Sequence, residues 1–326
     1  MIKYLYILVN SESGFYTEQT YVSMLSLKHV SPNAQISLLV DEQTDKSNNP
    51  FFISIKHLIN EYKVIPIDKG MPSVAKSRFL KTTMRQNIEG DFLYVDSDTI
   101  WANPINESDF SFDIMGVLDG HVPFCQNSAK KTIEEKFKKM NCFPNTEYYI
   151  NGGVLFSRDS ELSKEFFTQW HNKWLQTSQS GIFIDQPSLN YVLNKIEPSE
   201  KKILPGEYNS QIINSWNYFF KAKIIHYFSS CSSPNNLFRF PYLLHRQDYW
   251  EKFREQQASV NIDFIVSNPL ALFEDDIMIK SSAERDFEKT NIYGFAKDIY
   301  TRKMAGKKTR FNLTEKILAL ISRKSK

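Results

Sequence analysis

An α/β fold, a mostly parallel sheet with helices on both faces, is what this sequence predicts, and three observations lead there. Short β-prone apolar runs alternate with helical patterns through the first hundred residues. Polar residues, Asn10, Asp41 and Asp96, stand where the first, second and fourth of those runs end. No repeat and no Gly-, Ser- or Pro-rich linker divides the chain. Strands separated by single helices make βαβ units with right-handed crossovers, and a ligand of such a sheet sits at the carboxyl ends of its strands.

The elements follow in order. Lys3–Asn10 is a strand that runs into a polar Ser/Gly turn. From Thr17 a helical pattern sets Tyr21, Met24, Leu25 and Lys28 at helical spacing and stops before Ser31-Pro32. Gln35–Val40 reads as a buried strand, Phe52–Tyr62 as a helix, Lys63–Pro66 as a strand and Ser73–Asn87 as a basic helix. Phe92–Val95 is a further strand that ends in Asp96-Ser97-Asp98. Beyond it come a strand at Ile114–Leu118, a Lys-rich helical segment near Ala129–Met140, and a strand at Tyr148–Ser157 interrupted by Gly152-Gly153. Ser160–Thr177 is amphipathic, with Leu162, Phe166, Trp170 and Trp174 four residues apart. Asp185-Gln186-Pro187 suits a helix start within Ile182–Ile196, and Lys223–Phe228 is a late strand.

Composition narrows the function classes. The 326 residues are 41% hydrophobic and 24% charged, with 11 Gly and 13 Pro, which excludes collagen-like, low-complexity and wholly disordered chains. Cys125, Cys142 and Cys231 lack disulfide-framework or zinc spacing, so a reducing compartment is expected. No apolar run reaches membrane-spanning length, and a soluble, cytoplasmic protein is expected. Residues Arg302–Lys326 hold nine Lys/Arg and one Glu, a charge of +8 that leaves −5 on residues 1–301. The acidic body argues against nucleic acid as a partner. In the tail, Phe311, Leu313, Ile317, Leu320 and Ile321 recur at helical spacing among basic residues. That pattern suits an amphipathic helix drawn to an anionic membrane surface, or else a helix packed on the body with solvated lysines.

The chemistry centres on Asp96-Ser97-Asp98. Carboxylates two positions apart face opposite sides of a strand, but at a strand end the turning chain lets both address one hard cation. Oxygen ligands of this kind suit Mn²⁺ or Mg²⁺, which keep open positions for phosphate oxygens. A bare Asp-x-Asp is more often a solvated turn. Here Lys76 and Arg78 on the preceding helix and the Asp185-Gln186 pair downstream belong with it.

In this set the sequence resembles the nucleotide-sugar glycosyltransferases of the A-type, Rossmann-like fold, and is most similar to family 8 and related bacterial polysaccharide and lipopolysaccharide enzymes. The resemblance runs from about Lys3 to Phe228. Its motifs are Lys76–Arg78, Gly90–Ile100 with the Asp-x-Asp, Asn151–Phe156, Asp185-Gln186 with Leu189-Asn190, and His226-Tyr227. It implies a catalytic domain over 1–235 (nucleotide half 1–100, sugar and acceptor half 101–235), a helical extension over 236–301 and the basic tail 302–326. It implies that Asp96, Asp98 and His226 hold the metal and that Arg78 pairs with the diphosphate or with the residues holding the metal. Lys76 and Asp41 join the donor site, Val9 and Asn10 lie against base and ribose, and Ser97 near the ribose. Asn151, Gly152 and Gly153 meet the sugar, with Asp185 and Gln186 facing it from the other side. Read as residues alone, His226 is more often a partly buried structural histidine than a ligand, while Asn10 also reads as a turn or cap and Asp185-Gln186 as a helix cap.

The implied reaction moves a sugar from a nucleoside-diphosphate donor, of UDP type, to a glycan or lipid-linked acceptor in surface polysaccharide synthesis. Asp185 beside the acceptor hydroxyl would act as general base and invert the anomeric centre. Family 8 enzymes typically retain it, with Asp185 orienting sugar hydroxyls and Gln186 near the anomeric carbon. The chain departs from family 8 after His226, where Phe228 to Pro234 replace a segment with Gly, Lys, Pro and Trp. Three other readings stand beside this one. A dehalogenase-type phosphatase expects Thr or Val where Ile100 stands; a sugar-phosphate nucleotidyltransferase expects a Gly-rich basic loop that Asn10–Tyr16 lacks; an inactive nucleotide-sugar binder would not need the intact Asp-x-Asp.

Overall fold

Strand β1 (Lys3–Leu8) lies inside the main sheet, and the route of the chain around it decides where a ligand can go. The computed structural model describes residues 1–11, 14–141, 148–179, 181–197, 200–229, 240–256, 261–273 and 286–304, the last seven as backbone only. Helix α1 (Tyr16–Val30) returns the chain to β2 (Gln35–Asp41), and the short helices α2 (Glu42–Asp45) and α3 (Pro50–Lys56) lead to β3 (Glu61–Ile65). Helices α4 (Ser73–Thr82) and α5 (Met84–Asn87) then carry it back across the sheet to β4 (Phe92–Val95) on the other side of β1. β2 and β4 both pair with β1 in parallel, Tyr4 standing opposite Ile36 and Leu93. The strand order therefore reverses between β1 and β4, and their carboxyl ends open the crevice where such sheets bind ligands.

The rest of the chain closes that crevice. After β5 (Thr99–Trp101), β6 (Ile114–Leu118) and α6 (Lys130–Lys139) comes β7 (Ile150–Ser157), then α7 (Glu161–Ser178), α8 (Gln186–Leu193) and β8 (Lys201–Leu204). The seven-stranded sheet has the order β3-β2-β1-β4-β7-β6-β8, with only β7 antiparallel to its neighbours. Because β7 runs backwards, Val154 stands opposite Val95, and the start of β7 lies at the carboxyl end of β4. Strands β9 (Ser210–Gln211) and β10 (Ile224–His226) join β5 in a second, three-stranded sheet. This is the mostly parallel, helix-flanked α/β class that the alternation of elements predicts.

Three local expectations change. The helix over 73–87 breaks at Thr83, because Thr82 and Thr83 turn their hydroxyls back onto the carbonyls of Arg78, Phe79 and Leu80. Gly152-Gly153 does not interrupt its strand; the irregular register falls between Gly116 and Leu118, where a Cβ on Gly116 would stand 2.8 Å from Ile150 Cδ1. The helix expected over Phe52–Tyr62 is α3, Pro50–Lys56, since Asn49 and Pro50 start it and His57 ends it.

Two apolar clusters fill the space on the two faces of the main sheet, one holding Tyr6, Leu38 and Leu93, the other Leu5, Leu80, Phe92 and Trp170. A third unites Ile100 and Ile225 of the small sheet with Tyr249, Trp250 and Phe253 of α9 (Gln247–Glu255) and Ile265 of α10 (Ile262–Ser267). Residues 240–273 thus belong with the sheets in a unit spanning Met1–Asp275. The second unit, Asp276–Lys326, contains the helix Asn291–Met304, and the basic tail from residue 305 lies outside the described residues. Among the described residues no helix is long and apolar enough to cross a membrane.

Trp101 ties the small sheet to the large one. It is fully buried, its indole N–H donates to the Tyr6 hydroxyl at 2.9 Å, and its backbone N–H donates to Ser26 Oγ at 2.9 Å. Trp101→Ala should lower the unfolding free energy by about 3–5 kcal/mol, read from urea denaturation, because it empties a large cavity and removes a donor.

Candidate active site

The site begins with backbone register. Val95 ends β4, Asp96 to Asp98 turn, and Thr99 enters β5 opposite His226 of β10. The Tyr227 N–H donates to the Asp98 carbonyl at 3.1 Å, and the Asp96 N–H to the Gly153 carbonyl at 2.8 Å. Residues far apart in sequence are thereby fixed around one turn. Ligand atoms of Asp96, Asp98 and His226 all lie within 4.8 Å of one another.

A chain of hydrogen bonds sets the direction in which His226 presents its ring. The Asp119 carboxylate can only accept, and takes the Asn151 amide N–H at 3.0 Å. The Asn151 carbonyl is therefore free to accept, and receives the Gly153 N–H at 2.9 Å and the Asn209 side-chain N–H at 3.1 Å. That in turn leaves the Asn209 carbonyl, 2.9 Å from His226 Nδ1, to accept a hydrogen bond from a ring N–H. With Nδ1 protonated, Nε2 points its lone pair at Asp98 Oδ1, 3.3 Å away. Nε2 is buried and makes no hydrogen bond among the described residues. Two desolvated acceptors at that spacing require a proton or a cation between them, and an oriented His with two carboxylates is a set that fits a divalent cation.

Cations surround the same carboxylates. Lys81, on α4, places Nζ 3.2 Å from Asp96 Oδ1 and 3.6 Å from Asp185 Oδ2, over the Tyr94 ring at 4.8 Å. Arg78 Nε lies 2.9 Å from Asp185 Oδ1, and the Asp185 charge outweighs burial to push the Arg78 pKa further up. Burial, and next the neighbouring Asp96 charge, hold the Tyr94 hydroxyl well above its ordinary pKa, so it stays protonated and donates to Asp96. Burial works to raise the Asp98 carboxyl; with the His226 ring protonated, its charge overrides burial and the net shift is downward, the proton on Nε2 then standing where a cation would otherwise lie. Asp98 therefore stays ionised at neutral pH.

The structure brings together most of the residues the sequence points to. Asn151 stands beside Gly153, and Gln186 accepts the Gly152 N–H at 3.2 Å while its own amide donates to Asp119 at 3.3 Å. Asp185 precedes α8 but caps nothing with its side chain, which is turned to Arg78 and Lys81. Gly153 is required by space: a Cβ there would stand 2.3 Å from His226 Cε1 and 2.9 Å from Asp96 Oδ2. Val9 is buried beyond the end of β1, and Ser97 Oγ is hydrogen bonded to Thr20 at 2.8 Å. Asn10 serves its turn, donating from its backbone to Thr44 and from its side chain to Ser47. Lys76 is not brought to the Asp-x-Asp turn; it is buried in an ion pair with Asp41 at 3.2 Å, and Asp41 also caps α2. Lys81, Tyr94, Asp119 and Asn209 are site residues that sequence reasoning missed. For Lys81 a signal existed, since it lies one helical turn beyond Arg78; for the others no local pattern stands out.

Residues 72–247, over half of the chain, match the profile of the nucleotide-diphospho-sugar transferase family. The chain belongs to this family. The match spans the Asp-x-Asp turn, Gly152-Gly153, Asp185-Gln186 and His226 of this transferase. No curated protein matches its sequence significantly. Among solved structures, it is similar to the galactosyltransferase LgtC in complex with donor and acceptor sugar analogues, at 12% identity and a TM-score of 0.49, over 81% of this chain and 99% of that one. It is also similar to mouse xyloside xylosyltransferase 1 in its apo form, at 15% identity and a TM-score of 0.44, over 72% and 99% of the two chains.

The crowding at Gly153 makes a test of the geometry. Gly153→Ala should displace the His226 ring and cost about 1–3 kcal/mol of stability by overpacking, measured by thermal unfolding. Nucleotide release from a sugar donor should fall further than that loss of folded protein explains.

Proposed function

We propose that this protein is a metal-dependent glycosyltransferase related to family 8, which uses a UDP-type sugar donor and a glycan or lipid-linked acceptor in surface polysaccharide synthesis, with retention at the anomeric carbon. The observation that carries the reading is the convergence of Asp96, Asp98 and His226, with His226 Nε2 buried, facing Asp98 and without a hydrogen bond among the described residues. In this reading Asp96, Asp98 and His226 hold Mn²⁺ or Mg²⁺. When bound, the cation neutralises the negative charge that develops on the departing diphosphate. Arg78, half-exposed and next to the site, supplies a second positive charge to the same leaving group. Val9, Asn10 and Ser97 line the end of the β1–β4 crevice where base and ribose fit. Asn151, Asp185 and Gln186 face the sugar across Gly152 and Gly153, whose bare backbone allows a close approach. Asp41 and Lys76 neutralise each other, and so brace the end of β2 behind the donor.

Asp185 argues for retention. A general base needs an oxygen free to meet the acceptor hydroxyl. Oδ1 of Asp185 is taken by Arg78, and Oδ2, 3.6 Å from Lys81 and without a hydrogen bond among the described residues, is buried away from an incoming hydroxyl. It is built to hold an orientation. The lipid-linked acceptor would also account for the +8 charge of residues 302–326, since each basic residue near an anionic surface contributes about 1 kcal/mol.

Asp96→Asn or Asp98→Asn should reduce nucleotide release from the donor by at least about a hundredfold without unfolding the chain, and EDTA should do the same to the wild type, reversibly on adding Mn²⁺ or Mg²⁺. Undiminished activity of both variants in EDTA would overturn the metal reading. Asp185→Asn should lower turnover while donor binding by calorimetry survives, and NMR of the wild-type product should show the donor's anomeric configuration. An inverted product would return Asp185 to the role of base.

A further inference from the structure

Helix α9 reaches back to the first turn of the chain through one side chain. Arg254 Nε lies 2.7 Å from Glu18 Oε1 and its Nη2 3.1 Å from Glu18 Oε2, a two-pronged pairing of guanidinium with carboxylate. The same Nη2 donates to the Gly14 carbonyl at 2.5 Å, and the guanidinium lies 4.3 Å from the centre of the Phe15 ring. Glu18 is fully buried in α1, so its charge is held there by Arg254. Around the pair, Phe15 joins the apolar cluster of Trp250 and Phe253, and Phe51 stacks on Phe253 at 5.1 Å. The residues fixed in this way, Gly14 to Glu18, are the exit of the β1–α1 turn whose entrance is Val9 and Asn10. Tyr16, the half-exposed first residue of α1, is near enough to Arg78 to bear on its charge. Nothing in the metal cluster or the sugar face uses this contact.

We infer that Arg254 is a positioning residue for the nucleotide: it clamps residues 14–18, where the chain from β1 enters α1, so that helix α9 sets the affinity for the donor without touching it. The inference rests on the donor reading given above. A single guanidinium holds a helix carboxylate, a turn carbonyl and a turn aromatic together, and no other side chain type has a rigid fork with donors enough for the first two. A turn held ready loses less freedom when a nucleotide binds, and binds it more tightly.

The experiment uses the full chain. Arg254→Lys keeps a cation for Glu18 but cannot span both Glu18 and Gly14, and a double variant, Glu18→Gln with Arg254→Gln, removes the buried charge if the first is unstable. Circular dichroism checks folding, and hydrogen exchange of a peptide covering residues 10–20 reports on the turn. Calorimetry with UDP, GDP, ADP and CDP, each with Mn²⁺, reports on the site. Exchange in that peptide should rise and the Kd of the nucleotide that binds should increase roughly tenfold. The KM for the matching sugar donor should rise with it, with less effect on kcat. A folded variant with unchanged Kd, or a weakened Kd with unchanged exchange at 10–20, would overturn the inference alone. A wild type that binds none of the four nucleotides would overturn the donor reading and this inference with it, whatever the exchange shows.

Discussion

Direction in a hydrogen-bond chain is the constraint on which this site turns. Asparagine side chains can be read either way round, and a histidine ring can carry its proton on either nitrogen. Asp119 removes that freedom at one end because a carboxylate has no proton to give, and each bond after it inherits the decision. The strands serve the same purpose. An antiparallel β7 brings Asn151 and Gly153 to the end of β4, and the β5–β10 pairing brings His226 to the Asp-x-Asp turn. With either pairing shifted by one residue, the side chains would change faces and the cluster would not form.

Charge balance around the cluster shows a second economy. Asp96 and Asp185 are met by Lys81 and Arg78 from one helix, α4. One helical turn separates those two cations, so a single element supplies both from one side of the crevice. Tyr94 adds a neutral donor to Asp96. The first carboxylate of the motif is thus held by protein groups on Oδ1, while Oδ2 is the oxygen beside Gly153 and His226.

Much of this was legible before the structure. The strand–helix alternation predicts the class of fold; the Asp-x-Asp stands out at a strand end, and the resemblance to the glycosyltransferases points to Asn151 to Gly153, Asp185-Gln186 and His226, which the fold brings near it. Strands β5, β8 and β9 do not stand out, for runs of two to four residues carry too little periodicity to be seen. Lys81 looks like any basic residue on a basic helix until the fold buries it. Asn209 and Asp119 act only through neighbours that lie far off in the sequence. Lys76 is the converse case, conspicuous beside Arg78 in sequence yet turned by the helix towards Asp41. Local sequence reports which groups have chemistry to offer; which of them meet is a property of topology.

The pairing of β5 with β10 bears on how the protein is made. Thr99 and His226 are joined across more than a hundred residues of intervening chain, and such a contact forms only after the entropy of closing that loop has been met. During synthesis the Asp-x-Asp turn leaves the ribosome long before its histidine exists. A half-made chain therefore exposes two carboxylates without the histidine that completes the cluster. If the cluster holds a cation, as proposed, that ion would favour only the finished fold, in which the last strand of the small sheet has docked.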